Sequence, residues 1–417
     1  MDDEPLKPAA ANGLLDRRLF LKAGLTGSAT LLMARAGAAE REPWMMAPGA
    51  GMSESSAPSR FETHIRRTNI QSQPGTTGSG ASRTPLQHLD GIITPSRVHF
   101  ERHHAGIPDI DPSRHQLMIH GMVRRPLSFS VEALDRYPKI SRIQFLECSG
   151  NSRNQIAPEP VPARCSAIHG LLSASEWGGV PLSTLLDEAG VDPRARWIVA
   201  RGADAAVMAR SVPLEKALDD AIVALFQNGE RLMPANGYPM RLFLPGWEGN
   251  TSVKWLRSIE VADRPAMTRE ETSKYSDLQN DGTARLFTFE MGVKSVITSP
   301  SPGLEMGAPG IYQISGLAWS GAAAIRRVEV SADAGKSWAD AALDAPVLPK
   351  CLTRFRAAWQ WNGGPAVILS RATDQNGAVQ PTRSSALKGR ASNTTYHYNG
   401  IQAWRISEDG EVHNVYV

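Results

Sequence analysis

Ile143-Gln144-Phe145-Leu146-Glu147-Cys148-Ser149-Gly150-Asn151 is the stretch from which the rest of the chain is best read. Its apolar start has β character, and its Ser-Gly-Asn end is turn-forming, so a strand is expected to hand Cys148 to a loop. A thiolate at a rigid strand end suits a soft or high-valent transition metal. A free cysteine is more often a buried structural side chain, and on Cys148 alone that reading leads. Its neighbours tilt the balance. Gly150 permits close backbone approach, Asn151 supplies an amide, and Arg153 carries a permanent charge. Cys165 and Cys351 lack such company and read as structural.

Around this stretch, residues 95–265 alternate short apolar strands with short helical segments. Leu117 to Gly121 and Arg241 to Leu244 read as strands, Ser130 to Leu134 as a capped helix start, and Pro181 to Ala189 and Leu214 to Leu218 as helices. From about Ala284 the helical signals stop. Gly310 to Trp319, Ile325 to Ser331, Ala366 to Thr373 and Tyr396 to Ile406 are strand-like runs, punctuated by turn clusters such as Asp374-Gln375-Asn376-Gly377. The expected fold class is α+β: a mixed α/β domain over 95–265, then an immunoglobulin-like β-sandwich over 284–417. Residues 40–94, rich in Ser, Gly, Pro and Thr, read as a low-complexity extension outside the core.

The chain has 417 residues, enough for two or three domains at roughly 100–200 residues each. With 41% hydrophobic and 21% charged residues it is not a disordered chain, and a net charge of +3 points to neither nucleic acid nor a membrane surface. Three cysteines without a CxxCH exclude a disulfide framework and leave no attachment site for c-type haem. Residues 1–39 read as a leader. Arg17-Arg18-Leu19-Phe20-Leu21-Lys22 is a twin-arginine motif, a short apolar run follows, and Ala34, Ala36 and Ala38 offer small-residue cleavage sites. The run is too short to span a bilayer. A soluble protein exported folded to the periplasm is the expectation, since that route carries chains already loaded with a cofactor.

Two further clusters hold chemistry. Phe100-Glu101-Arg102-His103-His104 places two histidines on opposite faces of a strand, so they are not expected to chelate one metal together. Asn236-Gly237-Tyr238-Pro239-Met240-Arg241, with Ser252-Val253-Lys254-Trp255, spreads amide, guanidinium, hydroxyl and ammonium groups over a glycine-rich turn suited to a phosphate or a pterin.

Taken together, the Cys148 loop with Arg153, the Arg102/His104 segment, Gly-Tyr-Pro-Met-Arg241 and Ser-Val-Lys254-Trp255 resemble the sulfite oxidase family of molybdopterin enzymes. Gly316 to Gly321 and Ser331 to Trp338 resemble that family's dimerisation domain, so the likeness runs over roughly residues 92–417. Leu86 to Ser96, leading into Phe100 to Pro112, is most similar to the SoxC-type sulfane dehydrogenase subunits of bacterial Sox thiosulfate-oxidising systems.

The resemblance implies a molybdenum oxidoreductase using the molybdopterin cofactor, with Cys148 as the metal's thiolate ligand. It implies cofactor contacts from Arg102, His104, Asn236, Arg241, Ser252 and Lys254. It places anion-binding and active-site roles on Arg102, Arg153 and Tyr275, with Arg354 or Arg356 as the arginine lent by the sandwich. At the position of Asn236, animal sulfite oxidases carry a histidine, so the phosphate grip differs there. The implied substrate is a sulfane sulfur on a sulfur-carrier protein, oxidised by oxygen atom transfer. Electrons would pass to a c-type cytochrome, a dihaem partner subunit, with no haem in this chain, and a homodimer would form through the C-terminal domain. Rival readings are a dehydrogenase of free sulfite, a sulfoxide reductase running in reverse, and a non-catalytic exported binding protein.

Overall fold

A computed structural model describes residues 8–15, 45–48, 50–52, 54–55, 57–72, 76–391, 394 and 396–417. The twin-arginine pair and the expected cleavage sites lie outside the described residues. The quoted stretch forms the strand Ile140–Glu147. It pairs with Leu172–Pro181, which pairs with Ile222–Gln227, and this last strand also carries Glu230–Arg231 and Arg241–Phe243. The end of the strand is buried on both faces. Phe145 joins a core shared with the C-terminal sandwich, while Leu146 joins a second cluster with Phe100, Trp177 and Phe243. That double burial explains an apolar run without alternation.

A second sheet is ordered Ala209–Pro213, Trp197–Gly202, Leu256–Ala262, Gln116–Gly121, Leu127–Ser130, and only the pairing of Leu256–Ala262 with Gln116–Gly121 is parallel. Short helices cover it. Val131–Asp135 starts where Ser130 Oγ accepts the Ala133 N–H at 3.1 Å, an ordinary N-cap. Leu182–Ala189 buries Leu182, Leu185, Leu186 and Ala189 at helical spacing and stops at Gly190, whose φ is +72°.

The C-terminal region is a two-sheet sandwich. Lys294–Ser299, Gly310–Trp319 and Thr353–Trp361 run through one sheet. The other is ordered Ala339–Asp340, Ile325–Ser331, Ala366–Asp374, Ala403–Ile406 and Val412–Val415. Trp319, Trp359 and Trp404 are fully buried in its core. The shared core fixes the sandwich to the back of the cysteine strand. Glu147, 1% exposed, accepts from Asn151 Nδ2 at 2.9 Å, Lys294 Nζ at 3.1 Å and Trp319 Nε1 at 2.7 Å, the last two from sandwich strands.

Three expectations are corrected. Residues 79–94 belong to the fold: Gly80–Arg83 pairs with Glu101–His103, and Thr84, Leu86 and Thr94 are buried. Small hydroxyl side chains fit there because they bond rather than pack; Thr84 Oγ1 meets Ser173 Oγ at 2.7 Å, and Thr94 Oγ1 accepts the Ala174 N–H at 3.1 Å. Tyr396 to Gln402 is a loop, and only Ala403–Ile406 is strand, because the segment turns aside to meet the cysteine loop through the His397 N–H and Ser149 O at 2.9 Å. Lastly, part of the expected leader is folded: Pro8–Ala10 and Leu14–Leu15 extend the sandwich at Thr353–Trp361.

Breaking a buried ion pair leaves the other charge stranded, at a cost of about 3–5 kcal/mol. Lys294→Met is therefore expected to lower unfolding stability by about 3 kcal/mol, read as a fall in the thermal and urea midpoints. An unchanged midpoint refutes the structural role of Glu147.

Candidate active site

The cysteine loop is set by backbone bonds on both sides. The Cys148 N–H donates to Leu171 O at 3.0 Å and the Asn151 N–H to Cys148 O at 2.8 Å, while the Asn151 side chain accepts the Leu171 N–H at 3.1 Å. The close approach expected of Gly150 falls elsewhere. A Cβ on Gly150 would meet nothing nearer than Cys148 Sγ at 4.0 Å, whereas one on Gly249 would lie 2.9 Å from Glu147 O. The Gly249 N–H donates to that same oxygen at 2.7 Å. The thiol of half-buried Cys148 faces a cleft holding about 690 Å³ of atom-free space, part of it open to solvent.

Eight of the expected residues meet in that cleft: Arg102, His104, Cys148, Asn236, Arg241, Ser252, Lys254 and Tyr275 all line it. Arg241 is buried, with its guanidinium donating to Asn236 O at 2.9 Å and Ser252 O at 2.7 Å and stacked over Trp177. Among the described residues no carboxylate is bonded to it, its Nε has no partner, and desolvation pulls its pKa down to about 9. Lys254 Nζ is bonded to neutral groups, Arg102 O and Ala235 O at 3.1 Å and His103 Nδ1 at 2.7 Å. Desolvation, and then the charge of Arg241, pushes its pKa well below the ordinary lysine value, with Asp204, which also lines the cleft, and Glu101 opposing from a distance. Buried cations bonded to no carboxylate are expensive, so this cleft suits an anion. Asn250 Oδ1, also buried at the wall, lacks a donor.

Near the thiol, His104 Nε2 and Tyr275 Oη are 3.0 Å apart. Desolvation, then Arg102, lowers His104 to about 3, so the imidazole is neutral. Tyr275 is pushed up by desolvation and by the nearby Cys148 thiolate, so its phenol keeps its proton and acts as a donor. Its ring lies 4.9 Å from the Arg210 guanidinium, which is buried and bonded to Glu271 Oε1 at 2.9 Å and Glu248 Oε1 at 3.3 Å. Burial pushes the Cys148 thiol up, and a bound cation would reverse that.

The other arginines expected at the active site do not line the cleft. Arg153 opens the 3-10 turn Arg153–Ile156 and is exposed. Arg354 and Arg356 do not reach the cleft. Arg354 donates to the carbonyls of Leu89 and Gly91, and Arg356 is paired with Asp344 at 2.8 Å and Asp90 at 2.9 Å, so both staple residues 89–91 to the sandwich. The sandwich instead sends His397, whose Nε2 lies 3.3 Å from Glu248 Oε2 and 2.6 Å from Thr288 Oγ1. Arg83 was also missed. Desolvation lowers its pKa, with Arg153 lowering it further and Cys148 opposing, which puts it within electrostatic reach of both. A lone arginine in a Ser-rich stretch carries no signal for this. Arg210, Glu248 and Glu271 gave none either, because they meet only in three dimensions.

Among the described residues no group of three His, Cys, Asp or Glu side chains is placed to hold a metal ion. A metal held here by a single thiolate must bring its other ligands with it. The donor set fits the molybdopterin cofactor: a thiol for the metal, and in the same cleft buried Arg241 and Lys254, bonded to no carboxylate among the described residues, for its phosphate.

The comparisons agree with this geometry. Residues 104–270 match the oxidoreductase molybdopterin binding domain and residues 285–403 the Mo-co oxidoreductase dimerisation domain. The chain is 31% identical to the sulfite oxidase of Gallus gallus over 316 residues, covering 70% of this chain and 68% of that one. It is 30% identical to the NADH nitrate reductase of Solanum lycopersicum, of which it spans only 34%. The crystal structure of the sulfane dehydrogenase SoxCD from Paracoccus pantotrophus superposes with a TM-score of 0.88 at 43% identity, over 91% of this chain and 98% of that chain.

Charge-assisted hydrogen bonds are worth about 1.5–3 kcal/mol each. Arg241→Met is thus expected to cut molybdenum retained per chain at least about tenfold. The melting temperature of the cofactor-free chain should move by no more than about 3 °C, because the lost bonds are offset by removal of an uncompensated charge. Metal analysis and calorimetry on the same preparation check both halves.

Proposed function

The chain belongs to the sulfite oxidase family of molybdopterin enzymes and is a molybdenum-dependent oxidoreductase acting on sulfur; from that premise we propose that it oxidises sulfane sulfur carried on a protein, in the periplasm, and hands the electrons to a c-type cytochrome. The observation that carries the chemistry is the half-buried Cys148 thiol in a cleft where Arg241 and Lys254 are bonded to no carboxylate among the described residues. The substrate reading is supported by likeness at 43% identity to a sulfane dehydrogenase over nearly that whole chain.

When bound, the molybdenum cofactor supplies the two-electron oxygen-atom chemistry. The protein's part is to hold and to polarise. Cys148 provides the thiolate ligand. Arg241, Lys254, Ser252 and Asn236 hold the cofactor's phosphate end, with Asn236 fixed by Gln227 Oε1 at 2.8 Å. Arg102 spans the two regions, donating to the Gly80 and His103 carbonyls while lining the cleft. Tyr275, protonated and held by His104, donates a hydrogen bond toward an oxygen of the substrate or product. Exposed Arg153, within electrostatic reach of Arg83, would attract an anionic sulfur terminus, since guanidinium stays charged at any working pH. An exposed arginine suits a substrate arriving on another protein better than one that must sit wholly inside.

The twin-arginine motif supports export of the folded, loaded chain. The dimerisation-domain match supports a homodimer through residues 285–403. A cytochrome is the natural acceptor because two electrons must leave singly, and this sequence contains no CxxCH to receive them.

The deciding experiment compares ferricytochrome c reduction with free sulfite and with a persulfide or thiosulfonate on the cysteine of a carrier protein. A higher kcat/KM for the carrier-bound sulfur is expected; preference for sulfite makes the enzyme a sulfite dehydrogenase instead. Cys148→Ala is expected to leave turnover below detection with an unchanged circular dichroism spectrum. Full turnover in that variant overturns the ligand assignment.

A further inference from the structure

The segment ahead of the twin-arginine pair is folded, and it is folded onto the sandwich. Ala11-Asn12-Gly13 makes a tight turn, with Asn12 at φ +58° and Gly13 at φ +85°, the left-handed pair that an Asn-Gly hairpin favours. Pro8 pairs with Leu15 and Ala10 with Leu14. Leu14 pairs in turn with Trp359 on the outer edge of the strand Thr353–Trp361.

Four features make this a fitted surface and not a chance contact. Leu14 is fully buried and belongs to the same core as Trp319 and Trp359. The Gln360 N–H, on an otherwise exposed edge residue, donates to Gly13 O at 2.8 Å. A Cβ at Gly13 would lie 2.0 Å from Gln360 O, so only glycine fits. Asn12 is read twice: its carbonyl accepts from Trp359 Nε1 and its amide donates to Ala332 O, both at 2.7 Å. A fourth bond runs from the Ala11 N–H to Ser337 Oγ at 2.9 Å, within the Ser331 to Trp338 turn that has no part in the cleft.

We propose that the outer edge of Thr353–Trp361, with the 331–338 turn, is a strand-binding surface whose occupant is this chain's own segment Pro8–Leu15. Edge strands commonly recruit an extended peptide in this way, the backbone bonds giving affinity and one side-chain pocket giving specificity. In the sequence this docked segment directly precedes the twin-arginine motif, and its binding surface exists only once the sandwich has folded. The docking does not depend on the sulfur substrate, and it can be tested without reference to export.

The test is amide hydrogen exchange on the full chain, wild type against Gly13→Val and Leu14→Asp. Docking predicts that the Gln360 amide exchanges at least about 100-fold faster in both variants, as an edge amide released to water. Amides bonded between Gly310–Trp319 and Thr353–Trp361 are expected to keep their protection, which shows that the sandwich remains folded. Equal Gln360 exchange in wild type and both variants overturns the proposal. So does fast Gln360 exchange in the wild-type chain.

Discussion

One buried carboxylate holds this molecule together. Glu147 stands next to Cys148, and its two oxygens are divided among an amide of the cysteine loop, a lysine and a tryptophan of the sandwich. Lys294 extends the network to Ser152 Oγ at 2.7 Å, and Ser152 passes it to His169 and on to Gln402. The position of the Cys148 thiol is thus tied to the packing of the C-terminal module. Neither half can shift without leaving charge or hydrogen-bonding groups unpaired in a dry interior, where each such group costs about 1–3 kcal/mol. The sandwich is therefore part of the active site's scaffold, beyond any role in assembly.

A second buried network does for Tyr275 what the first does for Cys148. Arg210 lies between Glu248 and Glu271, beneath the tyrosine ring, and Glu248 also meets His397 from the sandwich. Desolvation would raise Glu248, but Arg210 first and then His397 outweigh it and hold it at about 2. The ionised carboxylate in turn holds His397 above its ordinary value despite burial. The chain thus places charged groups around the thiol on two sides, while the cleft itself is left with cations to spare.

Much of this was legible in the sequence, and the gaps have physical reasons. Gly310–Trp319 and Ile325–Ser331 came out at their observed bounds because apolar residues and turn clusters punctuate them sharply. Cys148 and the Asn236, Arg241, Ser252 and Lys254 group came out because a strand-to-loop cysteine and a glycine-rich Arg/Lys turn are local signals, whereas Tyr275 came only from the family resemblance. Residues 79–94 did not, since Ser and Thr that satisfy buried backbone look like linker until their partners are known. Arg356 was misplaced because its sequence neighbourhood says "strand arginine", while only folding shows Asp90 and Asp344 beside it. His397 was hidden for the converse reason: a run of Tyr, His and Asn reads as strand, and its bending toward Ser149 is a tertiary decision.

The uncompensated cations have one more consequence. Lys254 is disfavoured by burial and then by Arg241, with Asp204 and Glu101 opposing. Because these cations lie in the interior, dissolved salt screens them little, and an anionic group bound beside them relieves them where electrolyte cannot.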